Sequence, residues 1–248
     1  MKKQSTKSLL VAFTCTALLA ACATSGSVAP PEQRSPADPW EPLNRRIDSF
    51  NTTVDKATLK PLAKAYRAVL PAFARRGISN FFENLGTPAV ALNNTLQGKP
   101  GAGLSDLGRF VFNSTLGIGG LFDIAAPMGL PKHDEDFGQT FAVWGAGSGP
   151  YLVLPMLGPS TLRDTLAKPF DFASNPLFWY ENSSVKDKLR VLNIIDTRAR
   201  LLNAEGFLEN SNDPYITLRE SYLQNRNYKI HDGNPPVEDD FYDDLLEE

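Results

Sequence analysis

Of the 248 residues, only 2 are cysteine and 2 are histidine. Two cysteines cannot build a disulfide framework or a thiolate metal cluster, and two histidines leave little for a histidine-rich site. A charge excess of one sign is also missing: 25 Lys+Arg stand against 28 Asp+Glu, a net charge of −3. Nucleic acid is therefore not indicated as the main partner. Beyond the first 22 residues no stretch reaches the roughly 18 consecutive apolar residues that a membrane-crossing helix needs. What is present suits a folded body: 42% hydrophobic, 21% charged and 10% aromatic residues exclude wholesale disorder. The length accommodates one or two domains. Prolines are plentiful, and from Pro42 to Pro176 they recur at intervals of 4 to 27 residues. That spacing excludes a long coiled coil and predicts helices of modest length.

Residues 1–21 read as a signal peptide. Lys2, Lys3 and Lys7 form a basic start, and Leu9 to Ala21 is a 13-residue apolar stretch, too short to span a bilayer. It ends in Leu19-Ala20-Ala21-Cys22, which resembles the bacterial lipobox. Cys22 is the expected lipidation site, and Cys15 inside the apolar stretch is discarded. Two or more acyl chains hold a protein stably at a membrane. Ala23 after the cysteine, where an aspartate would favour the inner membrane, points to the outer membrane of a Gram-negative bacterium, on its periplasmic side.

Residues 22–37 read as a flexible tether and 38–231 as one mainly α domain. The tail 232–248 holds eight acids and no Lys or Arg, and solvated disorder is the expectation for it. Setting aside the leader and the tail leaves 22 basic against 20 acidic residues over 23–231, a nearly neutral body. Leu43, Ile47, Phe50 and Val54 form one helical stripe, entered through Asp38-Pro39-Trp40-Glu41-Pro42 as a capped start. Pro61 starts a second helix bearing Leu62, Tyr66 and Val69. Gly77 to Leu85 carries Ile78, Phe81, Phe82 and Leu85, and Leu104, Leu107 and Val111 continue the pattern. Val185 to Leu202 gives the clearest helix, with Ser184 and Asp187 as its cap and Gly206 as its stop. Asp213-Pro214 caps a last helix with Tyr215, Leu218 and Tyr222. Tyr151 to Leu154 is the one strand candidate. Each stripe is either the core of a soluble bundle or the face of an amphipathic helix lying in a membrane interface. Pattern alone does not choose.

Catalytic constellations are weak. Gly145-Ala-Gly-Ser-Gly149 lacks the residue order of a nucleophile elbow and the flanking strand and helix of a phosphate cradle. A flexible or close-approach loop is the expectation. His133-Asp134-Glu135-Asp136 offers one nitrogen ligand and the wrong oxygen spacing for a hard cation, so no metal, no cofactor and no reaction are expected.

Asp38-Pro-Trp-Glu-Pro-Leu-Asn-Arg45, Phe50-Asn51 with Asp55, Ser79 to Asn84, Leu96-Gln-Gly98 and Arg109-Phe with Asn113 to Asp123 resemble successive blocks of the MlaA/VacJ outer-membrane lipoproteins. So do Glu135 to Thr140, Trp144-Gly145, Gly149 to Pro155, Gly158-Pro-Ser with Leu162-Arg-Asp164, Asp213-Pro-Tyr215 and Arg219 to Tyr222. The resemblance implies a ring of short amphipathic helices seated in the periplasmic leaflet of the outer membrane, around an amphipathic channel. It implies removal of mislocalised phospholipid from the outer leaflet, association with a trimeric porin and transfer to a periplasmic phospholipid carrier (MlaC-like), without enzymatic chemistry. On that view Lys132, Asp136, Gln139 and Arg163 meet the headgroup, and Leu152, Leu154 and Leu157 line the acyl path. Gly145, Gly147 and Gly149 would let backbone and lipid pass closely. A scaffolding lipoprotein and a lipid hydrolase are the other two classes open at this point.

Overall fold

The α1 helix (Glu41–Val54) carries Pro42 in its first turn, where a missing N–H is harmless. The computed structural model describes residues 35–236, of which 37–236 belong to one unit and 35–36 to the preceding segment. The signal peptide, Cys22, most of the tether and the tail from 237 onward lie outside the described residues. The expected Asp38 cap does not form. Trp40 is the N-cap residue, without a side-chain bond, while Asp38 is buried and accepts from Asn44 Nδ2 at 2.8 Å, Tyr215 Oη at 2.5 Å and Arg219 Nη1 at 3.2 Å.

A five-residue π-turn, Asp55–Leu59, joins α1 to α2 (Lys60–Val69). The wider turn falls just before Pro61, where the backbone has no N–H to give. Helix α3 (Ala72–Leu96) runs 25 residues straight through Pro88, so the expectation of uniformly modest helices fails there. Packing overrides the local cost, because α4 (Pro100–Thr115) lies antiparallel against it. Asn94 donates to Asp106 near the turn, and Asn84 donates to Ser114 at the far end. Helix α5 (Phe137–Val143) starts on Asp136, which accepts from the Gln139 N–H at 2.8 Å.

The expected strand, β1 (Tyr151–Leu154), pairs antiparallel with an unexpected one, β2 (Gly158–Thr161), in register Tyr151↔Thr161 to Leu154↔Gly158. Asn44 and Asn51, two turns apart on α1, grip the free edge of β1. Asn44 bonds the Tyr151 carbonyl and the Val153 N–H, while Asn51 bonds the Leu154 carbonyl and the Met156 N–H. Two amide side chains thus do what a third strand would do. Helix α6 (Leu162–Ser174) follows, capped by Thr161 and interrupted by Pro169 without ending. Then come α7 (Pro176–Trp179), α8 (Ser183–Leu201), α9 (Glu205–Glu209) and α10 (Pro214–Ile230). Asn182, not Ser184, caps α8, and Gly206 lies inside α9 instead of stopping α8. Asp213 caps α10 as expected, accepting from the N–H groups of Tyr215 and Ile216.

Polarity is inverted across this body. Among the described residues, seventeen polar or charged side chains are buried against nine apolar ones, five of which are alanine. On α4, Asp106, Arg109 and Asn113 are buried, while Leu104, Leu107 and Val111 are exposed. On α1 and α2, Leu43, Phe50, Leu62 and Val69 likewise face outward. Other stripes turn inward: on α3 Phe82 is buried with Ile78, Phe81 and Leu85 half-buried, on α10 Tyr215 is buried with Leu218 and Tyr222 half-buried, and on α8 Leu189, Leu192, Ile195 and Leu202 are half-buried around buried Ala199. Among the described residues no helix is long and apolar enough to cross a membrane.

The interior is organised by α10. Tyr215, Arg219, Tyr222 and Arg226 fall on one helical stripe. Tyr215 and Arg219 hold Asp38. Tyr222 donates to Asp164 Oδ2 at 2.6 Å, and Arg226 bridges Asp164 (2.9 Å) and Asp136 (2.6 and 3.0 Å). Burial pushes both carboxyls up. The Arg226 bonds and charge outweigh it at Asp136, and the Arg226 charge with the Tyr222 bond outweighs it at Asp164, so both end below the ordinary range. Gly138 is packed so closely here that a Cβ would press into Asp164 Oδ1 and Arg226 Nη2. Asp171 is the contrasting case: burial raises it to about 6, although its Oδ1 accepts from the Phe137 N–H.

Two outcomes follow for stability. Arg226→Met leaves two carboxylates without their shared cation and is expected to cost about 3–5 kcal/mol. Urea unfolding of detergent-solubilised protein measures it, and a loss under about 1 kcal/mol would contradict the bridging role. The pH dependence has two parts. Depressed Asp136 and Asp164 contribute stability above the unfolded aspartate value of about 3.9, lost as pH falls below it. Asp171, raised when folded, favours the native state at low pH, and that contribution fades as pH rises through about 6. Asp171→Asn should therefore flatten the stability profile between pH 4 and 6; an unchanged slope in thermal melts would refute it.

Candidate functional site

A cavity of about 450 Å³ opens between α3, α4, the segment 123–134 and the C-terminal end of α8. Its lining follows from the same helical period that places leucines outside. Asn80, Glu83, Asn84 and Thr87 come from one face of α3, and Asp106, Arg109 and Asn113 from one face of α4. Asp123, Lys132, His133 and Asp134 come from the connecting segment, and Arg200 from α8. Three cations (Arg109, Lys132, Arg200) meet four carboxylates (Glu83, Asp106, Asp123, Asp134), so the wall carries −1 with His133 neutral and zero with it protonated.

Burial separates a floor from a mouth. On the floor, Arg109 forks onto both Asp123 oxygens at 2.9 and 3.0 Å and donates to the Leu130 carbonyl at 2.6 Å. Burial raises the Asp123 carboxyl, but hydrogen bonds from Arg109 and Asn113 more than offset it and hold it below the usual range. Buried Asp106 accepts from Asn94 and faces His133 Nδ1 at 3.0 Å. Asn84 is 6% exposed, gives its NH₂ to Ser114, and leaves its Oδ1 without a partner. At the mouth, the two Glu83 oxygens are divided between Arg200 Nη1 and Lys132 Nζ, each at 2.8 Å. The one hydroxyl side chain in the lining, Thr87, donates back to the Glu83 carbonyl at 3.0 Å.

The residues expected to form a lipid path fall into two places. Lys132 lines the cavity mouth. The rest sit together around α5, the hairpin and α6. Gln139 is buried there, its Nε2 on the Asp134 carbonyl and its Oε1 unpartnered. Arg163 is buried on Asp164, its backbone N–H bonded to the Ser148 carbonyl. Leu152 and Leu154 are half-buried on β1, and Leu157 is exposed at the hairpin tip. Gly145, Gly147 and Gly149 are exposed in the turn between α5 and β1. Gly145 (φ +94°) and Gly149 (φ +64°) need the left-handed conformation, and a Cβ at Gly149 would lie 2.9 Å from Leu162 Cβ. At Gly147 a Cβ meets nothing within 4 Å. Asp136 pairs with Arg226, and His133 and Glu135 have separate partners in Asp106 and Gln97.

Sequence reasoning missed Glu83, Asn84, Asp106, Arg109, Asn113, Asp123 and Arg200. The usable signal was a polar stripe with the period of the apolar one: Asp106, Arg109, Asn113 beside Leu104, Leu107, Val111.

Comparison with known proteins gives a single answer. A family model described as MlaA lipoprotein matches residues 36–229. The intermembrane phospholipid transport system lipoprotein MlaA of Escherichia coli (strain K12) is 40% identical over 223 residues, 88% of this chain and 86% of its own. The Haemophilus influenzae protein of the same name is 30% identical over 248 residues, 98% of each chain. A solved structure described as "Structural basis for maintenance of bacterial outer membrane lipid asymmetry" matches with a TM-score of 0.69 at 40% identity, over 79% of this chain and 100% of that one. These relatives are named as transport-system lipoproteins, not enzymes. The chain belongs to the MlaA lipoprotein family.

Proposed function

We propose that the protein is the outer-membrane lipoprotein of an intermembrane phospholipid transport system. It takes mislocalised phospholipid from the outer leaflet through its polar cavity and passes it to a periplasmic carrier, which maintains lipid asymmetry. Acylation at Cys22 anchors it, its exposed apolar faces seat it in the periplasmic leaflet, and a trimeric porin is its partner there. The observation that carries this reading is the inverted polarity: a cavity of paired charges and amides beside helices whose exposed faces carry leucine and phenylalanine. Apolar side chains left outward are stable in lipid, where they lose nothing to water. The headgroup then has a polar route past a layer that would otherwise exclude it. Misplaced lipid already lies at higher free energy, so passage needs no chemistry.

Labelling of outer-leaflet phosphatidylethanolamine with a membrane-impermeant amine reagent tests the path. Gly86→Phe adds a ring where a Cβ meets no atom within 4 Å, at the cavity wall. The expected result is labelling as high as in cells lacking the protein, with the variant still in the outer-membrane fraction. Labelling equal to wild type would remove the cavity from the path. Gly147→Val asks the same of the turn at 145–149, which lies apart from the cavity beside α5 and the hairpin; unchanged labelling would exclude that turn from the path. Cys22→Ser is expected to be released from the membrane fraction or left unprocessed, and normally acylated protein would refute the lipidation site.

Partners are tested by native mass spectrometry after mild detergent extraction. Phospholipid and a trimeric porin are expected to accompany the protein. A protein free of both would argue against this reading and for a scaffolding lipoprotein.

A further inference from the structure

From the same cavity, and resting on the lipid-path reading, we infer a preference for headgroups that carry a primary ammonium: phosphoethanolamine over phosphoglycerol and phosphocholine.

Two features of the wall lead there. The first is at the mouth, where Glu83 lies between Lys132 and Arg200 with one oxygen on each, both at 2.8 Å. Two non-ester phosphate oxygens present the same pair of acceptors as a carboxylate. A phosphodiester arriving at the mouth can therefore take the place of Glu83 between the two cations. All three residues are part-exposed (34%, 55% and 47% for Glu83, Lys132 and Arg200), so the exchange needs no unfolding. It leaves the Glu83 carboxylate unpaired beside the bound headgroup. A zwitterionic headgroup resolves this by bringing its own cation.

The second feature is acceptor excess. Four carboxylates on the wall face three fixed cations. A phosphoglycerol headgroup adds a further negative charge, whereas phosphoethanolamine and phosphocholine add none. Glu83, part-exposed and displaced from its two cations by the phosphate, is left as an acceptor with both oxygens freed. A primary ammonium brings three N–H donors to it, while a quaternary ammonium brings none. Charge therefore sets phosphoethanolamine above phosphoglycerol, and donors set it above phosphocholine.

The test loads the full-length acylated protein, in detergent, with equal amounts of dihexanoyl phosphatidylethanolamine, phosphatidylglycerol and phosphatidylcholine, read by native mass spectrometry. The ethanolamine lipid is expected to exceed each of the others by about fivefold, the scale of one part-exposed charge contact. Glu83→Gln should remove its lead over phosphatidylglycerol. Lys132→Gln, at an exposed residue, should weaken all three lipids alike because all carry the phosphate. Equal occupancy by the three lipids, or an unchanged ratio in Glu83→Gln, would overturn the preference while leaving the lipid path standing. Free glycerophosphoethanolamine at equal concentration should not displace the lipid. Displacement would identify a site for soluble phosphoamines, and that outcome, like lipid binding undiminished in Gly86→Phe, would defeat the path reading itself.

Discussion

One stripe on α10 ties the structure together. Tyr215, Arg219, Tyr222 and Arg226 reach aspartates at 38, 136 and 164, so the entry segment, α5 and α6 all converge on a single helix. The hairpin joins them through Tyr151 and Val153, which pack with Tyr215 in the small apolar core. In most soluble proteins a polar stripe of this kind would face water. Here it is buried, and each carboxylate is held by an arginine or a tyrosine, or both. Buried charges are tolerable only when paired and hydrogen-bonded, which makes this network unforgiving of single losses.

The outward leucines and phenylalanines explain why the inside is polar. With leucines and phenylalanines of α1, α2 and α4 turned outward, much of the interior is built from asparagine, aspartate, arginine and glycine. Asparagine suits this role because it both donates and accepts. Asn44 and Asn51 complete a sheet edge, and Asn84, Asn94 and Asn113 tie α3 to α4 and α4 to the segment after it. The cavity is the part of this interior that the side chains do not fill. Its charge balance is a consequence of the same pairing rule.

Much of the element map was legible in the sequence, and the orientation of the elements was not. Asp213-Pro214 announced α10 because an Asx cap followed by proline is a local signal. Tyr151 to Leu154 announced β1, but Gly158-Pro159-Ser-Thr161 reads as a turn, and only pairing to β1 makes it a strand. The proline spacing implied only modest helices, since local propensity cannot see the α4 helix that sustains α3 across Pro88. The stripes Leu104–Leu107–Val111 and Asp106–Arg109–Asn113 have the same period, so periodicity marks two faces without saying which is inside. The partners of Asp38, 177 and 181 residues away, leave no local trace at all. The family blocks, by contrast, included Asn80, Phe82, Glu83, Asn84, Arg109, Asn113 and Asp123, residues that turned out to line the cavity.

The central claim is that lipid lies outside this body and water inside. The two cysteines of the chain are at 15 and 22; on the proposed processing the first leaves with the signal peptide and the second is acylated, so an introduced thiol carries a unique spin label. In membranes, labels at Leu104→Cys and Val111→Cys should collide more often with dissolved oxygen than with a water-soluble nickel chelate. A label at Thr87→Cys should show the reverse. Higher nickel than oxygen accessibility at residues 104 and 111 would contradict the account.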